Sequence, residues 1–93
     1  MHAAPTVTAK GYSGSFPSVG KKGLKYKKKA KKNKQVKKMQ KFLNWYGGYN
    51  LTADGKFGKK TRTAVKDFQT REGLKVDGVF GKACLKRAKK VKK

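Results

Sequence analysis

The feature that most constrains the fold is a repeat. Asp54-Gly55-Lys56-Phe57-Gly58-Lys59 returns as Asp77-Gly78-Val79-Phe80-Gly81-Lys82. Each copy follows a short apolar approach, Leu51-Thr52-Ala53 or Leu74-Lys75-Val76, and each runs into a stretch of helical periodicity. The chemistry of the unit is readable. Aspartate accepts backbone N–H bonds in a tight turn, and the following glycine takes a positive φ. Phe57 and Phe80 are expected to drop into the core, while Gly58 and Gly81 let the chain turn closely into the next helix. Two such turns join three helices into one unit.

The helices are bounded by their own signals. Val36, Met39, Leu43 and Tyr46 recur at helical spacing, with Phe42 widening the stripe. Asn33 is a plausible N-cap and Gly47-Gly48 a stop. A second helix is expected from about Lys59 to Glu72, with Thr61, Ala64, Val65 and Phe68 facing inward and Gly73-Leu74 closing it. A third is expected from about Lys82 to Lys90, with Cys84, Leu85 and Ala88 inside. The fold class is therefore all-α, a compact three-helix bundle preceded by an extended lysine-rich tail.

Charge divides the chain. There are 27 basic residues against 4 acidic ones, a formal net charge of +23. All four acids (Asp54, Asp67, Glu72, Asp77) fall in the second half, whereas residues 21–41 hold twelve lysines and no acid. This places a boundary between an extended, disordered linker and lysine tract (1–33) and the helical domain (34–93). A chain starting near Gln35 is expected to fold. Leu24 and Tyr26 alternate as in a short extended stretch, which allows one anchoring contact. Such charge implies a polyanionic partner. Lys27, Lys28, Lys29, Lys31, Lys32 and Lys34 are the expected contacts, acting through counterion release.

Several stretches together resemble a known family. They are Val36-Lys-Lys-Met-Gln-Lys-Phe-Leu, the first turn with Lys-Thr after it, Ala64-Val-Lys-Asp-Phe-Gln, and Gly73-Leu-Lys-Val before the second turn. This pattern, over residues 34 to 90, resembles the peptidoglycan-binding domain type 1. The segment Phe42-Leu-Asn-Trp-Tyr-Gly-Gly-Tyr and the linker at Tyr12 look similar to the C-terminal part of phage endolysins and related amidases or lysozymes. The resemblance implies a three-helix module that brings a bacterial or phage wall hydrolase to peptidoglycan at the cell wall; a monomer is expected. In that setting the polyanion expected for the lysines is teichoic acid, the wall itself or another polyanion. Two departures stand out: Lys27 to Lys34 replace a Gly/Asp/Ser-rich turn, and Cys84 stands where Thr or Ser is usual.

Catalysis is not expected. Wall hydrolysis needs a zinc site or paired carboxylates, and the chain has one histidine, His2, and one cysteine, Cys84. Neither metal nor cofactor is expected. Asp54 and Asp77 sit in identical turns and read as structural; Gln40 and Gln69 read as partners of buried backbone groups. Ligand contact is assigned to the surplus aromatics Trp45, Tyr46 and Tyr49, some of which the core needs against Phe57, together with Asn50, Thr52 and Arg62. The competing readings are a nucleic-acid-associated protein held by charge alone, a virion structural protein, and a membrane-active cationic protein. No apolar run is long enough for a membrane span, and Met1 to Lys10 lack the order of a signal peptide.

Overall fold

The computed structural model describes residues 12 and 14–91. The expected stripe of Val36, Met39, Phe42 and Leu43 lies buried on α1 (Lys34–Gly47). Asn33 caps it, its side-chain oxygen accepting from the N–H groups of Gln35 and Val36 at 2.7 and 3.3 Å. Gly48, in the left-handed region, ends it by donating its N–H to the Asn44 carbonyl. The helix α2 (Lys59–Arg71) buries Thr61, Ala64, Val65, Phe68 and Gln69. It closes in a Schellman motif, with Leu74 N–H on the Gln69 carbonyl and Gly73 N–H on that of Thr70. The helix α3 (Lys82–Ala88) is shorter than expected. Lys90 and Val91 bond three residues back, to Arg87 and Ala88, so the last turn tightens and carries Val91 into the core.

This is the expected all-α three-helix arrangement, and among the described residues it contains no strand. At its centre are Phe42, Phe68 and Phe80, whose ring centroids lie 5.8 to 6.5 Å apart. Phe57 and Cys84 are buried beside them.

The stretch before residue 34 makes the anchoring contact expected at Leu24, but over its described part it is not the disordered linker expected there. It is extended, but it packs on the helices. Val19 and Leu24 are buried in the same core, and Leu24 exchanges both backbone hydrogen bonds with Phe80. Lys27 N–H reaches the Phe57 carbonyl at 3.4 Å, and Asn33 N–H reaches that of Gly55 at 2.9 Å. Self-repulsion among the lysines does not prevent this, because the side chains of Lys21, Lys22 and Lys25 project outward while the apolar residues between them insert. The expectations for residues 1–11 lie outside the described residues.

Gly55 shows why the turn needs glycine. Its φ is 80°, and a Cβ there would come 2.8 Å from the Asn33 carbonyl oxygen. The turn thus presses directly on the start of α1.

Candidate functional site

The repeat works as scaffold. In the first turn Asp54 Oδ1 accepts from Lys56 N–H at 2.9 Å; in the second Asp77 Oδ1 accepts from Val79 N–H at 2.9 Å. Those backbone bonds, assisted by Gln40 and Gln69 respectively, hold both carboxyls below their ordinary range. Phe57 and Phe80 are buried, at 3% and 0% exposure. Each aspartate is thus bonded within its own turn.

A residue of α1 sets the loop that follows the helix. Asn44 grips Leu51 from both sides: its amide donates to the Leu51 carbonyl at 2.8 Å and its oxygen accepts from Leu51 N–H at 2.6 Å. Asn50 is thereby held at φ 59°, a left-handed conformation that asparagine tolerates better than most residues. The loop stands beside the first turns of α2. Between them lie two adjoining shallow hollows of about 500 and 430 Å³ that share Asn50, Leu51 and Lys60. Tyr49, Thr63 and Asp67 line one end of this trough; Thr52, Lys56 and Lys59 line the other.

The expected contact residues divide accordingly. Tyr49, Asn50 and Thr52 line the trough. Trp45 is half-buried elsewhere, its ring 5.5 Å from Tyr12 and 5.8 Å from Phe42. Tyr46 packs edge-on to Phe68 at 4.8 Å and donates its hydroxyl to Glu72 at 2.6 Å. Burial, then that bond, pushes its phenol well above the ordinary value. Arg62 lies over the Tyr26 ring at 4.5 Å and beside Gly78. It faces away from the trough because it is two residues from Lys60 on the helix, a little over half a turn round.

Tyr49 belongs to a second clamp of the same kind. Its hydroxyl donates to Asp67, which also pairs with Arg71 at 2.9 Å. Burial and the bond to Asp67 raise its phenol as well. In the parallel clamp Glu72 receives both Tyr46 and Arg87, the latter at 2.9 Å. Burial works against the Glu72 charge, but those two partners leave its carboxyl lowered overall.

Sequence reasoning missed Lys60, Thr63 and Asn44. A signal for the first two existed: Lys60, Thr63 and Asp67 recur at helical spacing on the polar side of α2.

The lysines surround a different place. A cavity of about 270 Å³ is lined by Lys25, Lys27, Lys29, Lys31 and Lys32, with Val36 and Phe57 as its floor. Lys32, Lys34 and Lys37 border a neighbouring hollow at the first turn. Lys28 is exposed and lines neither.

Short helices joined by two closely similar turns, with an open trough on one side, make up a small all-α module. The chain belongs to the peptidoglycan binding domain family, which matches residues 32–87, more than half of its length. That membership associates it with peptidoglycan and the cell wall. No curated protein matches the chain. Among the described residues no helix is long and apolar enough to cross a membrane.

Proposed function

We propose that the chain is a non-catalytic module that holds a cell-wall hydrolase or endolysin on peptidoglycan, as a monomer, with its lysines adding adhesion to anionic wall polymer. The family membership supports the target, and the trough beside Asn50 is the observation that supports a contact surface. Tyr49 offers an aromatic face to a sugar ring. Asn50, Thr52 and Thr63 offer donors and acceptors for acetamido and peptide groups, and Lys59 and Lys60 offer charge for stem-peptide carboxylates. Its openness suits a polymer that must be engaged along its length.

Co-sedimentation with peptidoglycan stripped of teichoic acid, at low and high salt, tests this reading. Binding should persist at high salt and be lost in Tyr49→Ala and Lys60→Ala. Trp45→Ala should bind normally once its folding has been verified. Binding abolished by salt alone would reduce the interaction to charge and overturn the proposal.

A further inference from the structure

We propose that the arch of residues 25–32 is a preformed site for the phosphodiester backbone of a polyol-phosphate polymer of the teichoic type, distinct from the trough. The proposal rests on the cell-wall reading above and assigns the anionic ligand a discrete place.

Four observations converge on it. The arch is pinned at three points: Leu24 to Phe80, Lys27 to Phe57 and Asn33 to Gly55. Its shape therefore exists before any ligand arrives, which lowers the ordering cost of binding. The lysines around the cavity form no ion pair: among the described residues the ion pairs are Arg71–Asp67 and Arg87–Glu72, and neither involves a lining residue. Lysines 25, 27, 29 and 31 line the cavity with Lys32, whereas Lys28, at the turn of the arch, does not. Finally, the Asn33 side chain already accepts from the first N–H groups of α1, so the anion must be held by the lysines rather than by the helix end.

Shape and lining select the ligand. At about 270 Å³ the cavity is smaller than the roughly 300–1,000 Å³ of clefts that enclose a drug-sized molecule. Five lysines in the lining offer donors and charge to a phosphate ester but no acceptor to the hydroxyls of a neutral saccharide. Single-stranded nucleic acid requires exposed rings on which bases stack. The ring lining this cavity is Phe57, only 3% exposed. Phosphate contacts without stacking are what a polyol-phosphate chain can use.

The test separates a site from bulk charge. Binding of purified poly(glycerol phosphate) is measured by calorimetry for three full-length chains: the native one, Lys27→Gln with Lys29→Gln and Lys31→Gln, and Lys21→Gln with Lys22→Gln and Lys28→Gln. Both variants lose the same charge, and every substituted lysine is exposed. The first should bind about tenfold or more weakly, with the slope of log K against log salt reduced by about two to three. The second should lose much less. Equal losses in the two variants would overturn the site. Single-stranded DNA that binds as tightly as the polymer and depends on the same three lysines would overturn the ligand assignment. The first variant should still sediment with phosphate-free peptidoglycan, so that failure at the arch and failure at the trough read out separately. If it does not fold, Lys25→Gln with Lys32→Gln against Lys21→Gln with Lys22→Gln carries the same contrast, with the slope reduced by about one to two.

Discussion

Gln40 and Gln69 hold the two repeated turns in the same way. The Gln40 oxygen accepts from Gly55 N–H at 2.9 Å, and the Gln69 oxygen from Gly78 N–H at 3.0 Å. Each amide nitrogen then donates to the aspartate of its turn and to the carbonyl two residues beyond it, that of Lys56 or Val79. Both side chains are almost fully buried, at 1% and 2% exposure. Substitution leaves a buried glycine N–H and a carbonyl unpaired, each costing roughly 1–3 kcal/mol. Gln40→Met and Gln69→Met should each lower the unfolding free energy by about 2–4 kcal/mol in urea titrations. A loss no larger than that of an exposed-residue control would show that the turns hold without these bonds.

The same symmetry reaches one helix further. Gln40 donates to the Thr61 hydroxyl at 3.1 Å, and Gln69 to the Cys84 sulfur at 3.4 Å. Cys84 in turn donates to the Val79 carbonyl at 3.4 Å. A thiol does these jobs weakly. Cys84→Thr should therefore fold and match or exceed the native stability, whereas Cys84→Val, which keeps the shape without the hydroxyl, should be less stable than Cys84→Thr. Thermal unfolding of the two variants decides it. Burial also raises the Cys84 thiol, so its reaction with an aromatic disulfide reagent should wait on opening of the fold.

How much of this was legible in the sequence depends on whether the signal was local. The turns, the Asn33 cap, the glycine stops and the inward faces of the helices each follow from a few adjacent residues. The roles of Gln40 and Gln69 were readable because they recur beside core positions. Beyond the anchoring contact at Leu24, the packing of residues 14–33 was not, since it depends on Phe16 meeting Phe42 from far along the chain, and the lysine composition pointed the other way. The corner at Trp45 split for a related reason. Neighbours in sequence at the end of a helix point in different directions, so Tyr49 and Asn50 line the trough while Tyr46 is used by Phe68 and Glu72.

The packed segment makes a truncation informative. Fully burying a side chain the size of valine or leucine contributes roughly 1.5–3 kcal/mol. Removing Val19 and Leu24 along with the Asn33 cap takes away much of the roughly 5 kcal/mol that so small a domain commands. A chain starting at Gln35 should bind a hydrophobic dye and lose near-ultraviolet dichroism while retaining helical signal. A chain starting at Tyr12 should unfold cooperatively. Cooperative unfolding of the shorter chain would show that the segment is dispensable.

The tyrosine clamps separate stability from recognition. Tyr46→Phe removes a bond to a carboxylate that Arg87 also holds, and hydrogen bonds to charged groups contribute about 1.5–3 kcal/mol. Denaturant midpoints should fall in Tyr46→Phe, while sedimentation with peptidoglycan stays unchanged under conditions where the variant is folded. Loss of binding in the folded variant would move the contact surface from the trough to the end of α1.

Acid should act on the two turns. Asp54 and Asp77 are held below their ordinary values chiefly by the N–H groups of Lys56 and Val79. A carboxyl depressed in the folded state takes up its proton more readily in the unfolded chain. Its contribution is therefore fully present above the ordinary carboxylate range, near pH 4, and drains away as pH falls through the folded values. Urea midpoints measured from neutrality down to about pH 2, at constant high salt to screen the net charge, should stay level and then drop below about pH 4. Asp54→Asn with Asp77→Asn should be less stable than the native chain at neutrality and should flatten most of the acid limb, with Glu72 supplying the remainder. An acid limb unchanged in that double variant would place the titrating group elsewhere and remove the turns as its cause.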